Sequence, residues 1–154
     1  MSDAEAWTSI HATAVVVGEQ GVLVRGPSGA GKSALALALI ACARENAIFA
    51  ALVADYRVFL RVSAGRLLAR GAPGFEGLIE RRFQGIVGLP HEPGAIARLI
   101  VELAGRGQTA PRMPEEGDEA SEVLGVRLPR VTLDPAHGPI DHAYAALQTL
   151  DRLR

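Results

Sequence analysis

Apolar residues fall in short runs parted by turn residues, and their spacing changes along the chain. Residues 15–17 and 21–25 read as two short strands joined by the turn "GEQG" at 18–21, a hairpin. Residues 33–44 are rich in alanine and leucine with no interior breaker, the composition of a helix. The run "IFAALVAD" at 48–55 is apolar until its last residue and suits a strand buried on both faces. Residues 57–70 alternate and turn at 63–65, a second hairpin, and 78–82 predict a strand followed by a glycine-marked loop. "AIARLIVEL" at 95–103 suits a short strand or a helix, and its mix of alternation with β-branched residues favours the strand. "LPRVTLD" at 128–134 reads as a final strand and 139–150 as a closing helix. Residues 1–9 are expected to be a flexible terminus. The polar, proline-marked stretch 107–122 is expected to be a mobile surface loop. No repeat or long linker breaks the chain, so 1–154 is read as one domain. A strand, a glycine loop and a helix, followed by a second buried strand, predict an α/β class: a P-loop nucleotide-binding fold with a central mixed sheet and flanking helices.

Composition narrows the function classes. A chain of 154 residues supports one good core, and 49% apolar against 21% charged residues marks an ordered globular chain. A formal net charge of −1 gives no bulk attraction for nucleic acid or an anionic membrane. The single cysteine, Cys42, excludes an intramolecular disulfide, and its place in the helical run predicts simple packing in a reducing cytoplasm. The start "MSDAEAWTSIHATAVVV" places acids ahead of a short apolar run, unlike a signal peptide. No apolar stretch reaches the length of about 20 that a spanning helix needs. The expectation is a cytoplasmic protein that binds neither nucleic acid nor membrane.

The chemistry concentrates in "GPSGAGKS", which matches GxxxxGK[ST] in full. Gly26, Pro27, Ser28, Gly29, Ala30, Gly31, Lys32 and Ser33 would form a nest of backbone N–H groups around phosphate oxygens. Lys32 would reach the outer phosphates, the Ser33 hydroxyl would meet Mg²⁺, and the following helix would aim its N-terminus at the same charge. Ser28 either adds a hydroxyl or simply tolerates the turn. Asp55 ends a buried strand, where it can serve a magnesium shell, accept a proton from an incoming hydroxyl, or cap a turn. Glu80 is a second carboxylate, with Arg81 and Arg82 beside it. On residues alone, a surface ion pair and a catalytic part are equally good readings of Glu80 and Arg82. His11 stands ahead of the first apolar strand and is unremarkable by itself. His91, His137 and His142 lack metal-ligand spacing.

Taken in order, "IHATAVVVGEQGVLVRGPSGAGKSALALALI", "LVADYRV", "LIERRFQGI" and "VLGVRLPRVTLDP" resemble the catalytic domain of the HPr kinase/phosphorylase family, in its short form without the N-terminal domain. The resemblance implies an ATP- and Mg²⁺-dependent serine kinase acting on the HPr-type phosphocarrier protein, with reversal by inorganic phosphate in many members. It implies nucleotide binding by residues 26–33 and metal contact by Ser33 and Glu80. Asp55 would be the base toward the substrate serine, and His11 and Arg82 would match the family's histidine and arginine. It also implies a homo-oligomer of hexameric type. The chain departs from the pattern in three places. Tyr56 replaces the second Asp of "ADD", Phe83 replaces a glycine after the signature arginine, and "PAHGPIDHA" lacks the arginine of a "PGRN"-like segment. Those departures keep open a nucleotide-binding regulatory protein with a degenerate catalytic site. A small-metabolite kinase is a third reading.

Overall fold

The computed structural model describes residues 6–105, 117 and 119–154. Within them lie eleven strands and two helices: β1 (Thr8–His11), β2 (Thr13–Val17), β3 (Gln20–Arg25), α1 (Lys32–Glu45), β4 (Ala50–Ala54), β5 (Arg57–Ser63), β6 (Arg66–Gly71), β7 (Leu78–Arg81), β8 (Gly85–Gly88), β9 (Gly94–Leu103), β10 (Ala120–Val123), β11 (Val126–Leu133) and α2 (Pro139–Arg152). Residues 1–5 of the expected flexible terminus lie outside the described residues, while Thr8 and Ser9 pair with β5. Of the expected loop at 107–122, residues 107–116 and 118 also lie outside them, and Ala120–Val123 is β10.

Local signals account for the helices. Gly31 opens α1 with φ of 103°, a conformation that costs glycine little. At its far end the Asn46 side chain donates to Cys42 O at 2.8 Å, and Arg44 reaches Ala50 O, tying the helix end to β4. Pro139 and Asp141 in the first turn of α2, and Arg152 in its last, suit the helix ends and their dipole. Neither helix is long and apolar enough to cross a membrane. Cys42 is buried among the core residues, and burial pushes its thiol up, with Glu45 adding to the effect.

The sheet overturns the expected P-loop nucleotide-binding fold. Its order is β1-β5-β6-β9-β3-β2-β4, with β11 beside β9 and β10 beside β11. Only β3–β9 and β9–β11 are parallel; β1–β5, β5–β6, β6–β9, β2–β3, β2–β4 and β10–β11 are antiparallel. In a parallel nucleotide-binding sheet the strand following α1 would join the same parallel array. Here β4 instead pairs antiparallel with β2, so the hairpin β2–β3 has a strand on each side. The result is a mixed, strongly curled half-barrel sheet with helices against it. The physical reason is that a run buried on both faces looks the same in an antiparallel strand as in a parallel one.

Two cores follow from the curl. One joins α1 and α2 to β2, β3, β4 and β9 through Leu35, Leu39, Leu52, Leu99 and Leu150. The other, on the opposite side, gathers Leu23, Val53, Leu60, Leu67 and Ile100 with no helix residue among its members. The register between β3 and β9 shifts at Gly21/Val22. A Cβ on Gly21 would stand 2.6 Å from Ile96 O, so the strands meet where only glycine fits. Gly21→Ala is expected to lower folding stability by about 2 kcal/mol, the scale of forced overpacking, read from the urea midpoint at unchanged m-value.

Candidate active site

Strand directions bring the site together. β3 and β4 each run antiparallel to β2, so their C-terminal ends reach the same edge of the sheet, where β2 begins. β3 leads into the glycine loop, β4 ends one residue before Asp55, and Thr13 heads β2 between them. The loop turns on Ala30 N donating to Pro27 O at 3.1 Å, with Gly29 and Gly31 at φ of 82° and 103°. A Cβ on Gly26 would lie 2.7 Å from Leu103 O, so the loop leaves β3 in close contact with the end of β9.

Asp55 is the hub of the site. Its Oδ1 accepts from Thr13 Oγ1 at 2.8 Å and from Ser33 Oγ at 2.9 Å, and its Oδ2 lies 3.1 Å from the same Ser33 hydroxyl. The Glu80 backbone N–H donates to Oδ2 at 3.4 Å. Lys32 is only 8% exposed, and its ammonium donates to Gly26 O at 2.8 Å and Pro27 O at 3.1 Å. Burial lowers the Lys32 pKa from its ordinary 10.5, and the nearby Asp55 charge acts in the opposite direction. The Gly26 and Pro27 carbonyls thus hold a largely desolvated cation against the loop.

These groups line one cavity of about 1280 Å³. Ser28, Gly29, Gly31, Lys32 and Ser33 form one side, and Thr13 and Asp55 belong to the same lining. Glu80, Arg81, Arg82 and Ile86 bring in the β7–β8 hairpin. His11 lines it too and meets Tyr56 edge-on, their ring centroids 4.5 Å apart. All of Lys32, Ser33, Asp55, His11, Glu80 and Arg82 therefore border one space, while Gly26, Pro27 and Ala30 shape the loop behind it. Among the described residues no group of three or more His, Cys, Asp or Glu is placed to hold a metal ion.

Two departures noted in the sequence take a physical form. Tyr56 has φ of 69° and an exposed ring, so the position keeps a left-handed turn that Asp or Asn accepts more readily than tyrosine. Phe83 has φ of 64° in the turn closed by Gln84 N donating to Arg81 O at 2.9 Å, a place glycine fills without strain. Its ring is fully exposed and stands outside the cavity lining. Sequence reasoning missed Thr13, whose signal is a hydroxyl heading the otherwise apolar strand "TAVVV", and Arg57, which lines the cavity beside Tyr56.

No family model matches the chain. Among curated proteins it is 37% identical over 140 residues to the HPr kinase/phosphorylase of Aromatoleum aromaticum, a match taking in 84% of this chain and 43% of that protein. The chain belongs to the HPr kinase/phosphorylase family. Two further members agree. The HPr kinase/phosphorylase of Azoarcus sp. is 36% identical over 140 residues, covering 84% of this chain and 43% of its own length. That of Mycoplasma mycoides subsp. mycoides is 29% identical over 138 residues, with 83% and 42% covered. The chain spans under half the length of the curated relatives it matches. Among solved structures, the HPr(Ser) kinase/phosphatase from Coxiella burnetii superimposes with a TM-score of 0.74 over 95% of this chain and 98% of that one, at 22% identity. At that identity the likeness bears on the fold alone.

Proposed function

We propose that the chain is an ATP-dependent serine kinase domain whose acceptor is an HPr-type phosphocarrier protein, with reversal of the modification by inorganic phosphate. The observation that carries this reading is one contact: the Ser33 hydroxyl at the end of the phosphate loop donates to Asp55 at 2.9 Å. It puts the donor cradle and a candidate base in the same cavity.

Lys32 and the loop amides bind and orient the ATP phosphates, and their fixed charge favours the more negative transferring phosphoryl group. Asp55 accepts the proton of the substrate serine as its oxygen forms a bond to the γ-phosphorus, while the bond to the β–γ bridging oxygen breaks and ADP departs. Thr13 holds the carboxylate in place. Arg82, exposed at the turn of the hairpin, neutralises phosphate charge, and His11 orients the acceptor. Magnesium fits the donor set: hydroxyl and carboxylate oxygens from Ser33 and Asp55, with Glu80 nearby, are the hard ligands this ion shares with substrate phosphates. When bound there, the ion supplies neutralisation of charge on the phosphoryl oxygens. A cytoplasmic location and a homo-oligomer of hexameric type belong to the same reading.

Tyr56 favours a second reading, a nucleotide-binding regulatory protein, because it leaves Asp55 as the one carboxylate of its strand end. Mass spectrometry of the phosphocarrier separates the two. Incubation with protein, ATP and Mg²⁺ is expected to add one phosphoryl group to a serine, and phosphate after nucleotide removal is expected to take it off. Nucleotide bound with no mass change in the carrier would overturn the kinase reading in favour of the second.

A further inference from the structure

Among the described residues no helix packs on the outer face of β5 and β6: α1 rests on β2, β3, β4 and β7, and α2 on α1 and β11. Alternation decides what that face carries. Val58, Leu60, Leu67 and Ala69 turn inward and are at most 3% exposed. The residues between them therefore face outward. On β5 these are Arg57, Phe59 and Arg61; on β6 they are Arg66, Leu68 and Arg70. Register sets them side by side, Phe59 opposite Arg70 and Arg61 opposite Leu68. β9 extends the face with Ile96, opposite Leu68, and with exposed Arg98 two residues on. The outward positions named on these three strands hold five arginines and no carboxylate.

The arginines are organised rather than scattered. The Trp7 ring stacks against the guanidinium carbon of Arg70 at 4.0 Å and of Arg61 at 4.8 Å. A guanidinium stacked on its face can still donate from its edge to a carboxylate. Arg70 Nε is itself buried and, among the described residues, without a hydrogen-bond partner. The face also runs into the cavity, because Arg57 and Phe59 belong to both, and His11 pairs with Arg57 across β1 and β5.

We infer that this arginine face docks an acidic surface of the protein substrate and so sets which serine enters the cavity. The inference rests on the kinase reading above. Guanidinium forks match carboxylates in a bidentate way, and arginine with aromatic residues, without lysine, is the composition of a protein-recognition patch. Nucleic acid fits less well: the Trp7 ring is already committed to two arginines and offers no free platform for a base, and the chain carries a net charge of −1. An anionic membrane fits less well again, since the face runs through Arg57 and Phe59 into the cavity that would receive the acceptor.

The test compares the unaltered protein with the double variant Arg66→Glu/Arg98→Glu, both positions exposed and outside the cavity lining. Calorimetry measures affinity for the organism's own HPr-type phosphocarrier at low and at high salt, and separately for ATP. The carrier's affinity is expected to fall at least about tenfold in the variant and to weaken with salt in the unaltered protein. ATP affinity and the melting temperature are expected to stay unchanged. Carrier binding that is undetectable in the unaltered protein, or equal in the two proteins, overturns the inference. So does tighter binding to a single-stranded oligonucleotide or to phosphatidylserine vesicles than to the carrier. Carrier binding through this face without phosphoryl transfer would instead sink the kinase reading and leave the docking face standing. Where the double reversal unfolds the chain, Arg66→Gln and Arg98→Gln singly are expected to weaken carrier binding in the same direction, and no weakening in either overturns the inference.

Discussion

Asp55→Asn is expected to cut phosphoryl transfer to the carrier about 10³-fold, the usual range for loss of a positioned general base. The substitution keeps an oxygen acceptor for the Thr13 and Ser33 hydroxyls, which donate to Asp55 Oδ1 at 2.8 and 2.9 Å. It removes the ability to take a proton. The local structure should therefore survive, and ATP affinity measured without magnesium should change by no more than about threefold, since the interaction lost belongs to the transition state. A single-turnover rate with labelled ATP, beside the calorimetric affinity, reads both. Equal losses of rate and affinity would make Asp55 a binding group and leave the proton without an acceptor. A second consequence falls on Lys32, because the Asp55 charge opposes the lowering of its pKa by burial. In Asp55→Asn that support is gone, and the amine loses its proton at lower pH.

Lys32→Met should have the largest effect on nucleotide binding. The ammonium is buried and already spends its donors on Gly26 O and Pro27 O, the carbonyls that aim it along the loop. Its removal costs a charge-assisted bond to phosphate, about 3 kcal/mol, so ATP affinity is expected to fall about 100-fold. The same substitution should also change how stability responds to pH. The folded chain holds the Lys32 pKa below the ordinary 10.5, so the unfolded chain binds that proton more tightly. Stability from this group therefore rises as pH climbs from the lowered folded-state value toward 10.5. Urea midpoints over an alkaline series should show this rise in the unaltered protein and its absence in Lys32→Met. A binding loss without the change in pH slope would mean that Lys32 is not buried as a cation in the folded chain.

What the sequence makes legible here is local. The turn at 18–21, the glycine loop and the breaker-free helix each rest on residues a few places apart, and β2, β3 and α1 lie where those signals put them. The hairpin turning at 63–65 is equally local, and β5 and β6 pair across it. Partnership between distant strands is another matter. The run at 48–55 announces burial on both faces, and Ala50–Ala54 is buried throughout, yet nothing in its composition says that it lies antiparallel beside β2. That pairing is what sets the mixed half-barrel apart from the expected P-loop nucleotide-binding fold with its central mixed sheet. The site follows the same division. Lys32 and Ser33 are legible from loop spacing, whereas Thr13 reaches Asp55 across 42 residues and is visible only once β2 stands beside β4. Tyr56 and Phe83 show a further limit: a side chain's name does not reveal that its backbone sits in the left-handed region.

Central to the proposed function is a backbone nest that grips the polyphosphate of a nucleotide next to a carboxylate. Calorimetric titration of ATP into the folded protein, with and without Mg²⁺, tests it most directly. Saturable binding at one site per chain is the expected result, present in Asp55→Asn and weakened about 100-fold in Lys32→Met. A flat titration of both ATP and ADP, on protein whose circular dichroism shows it folded, would contradict it.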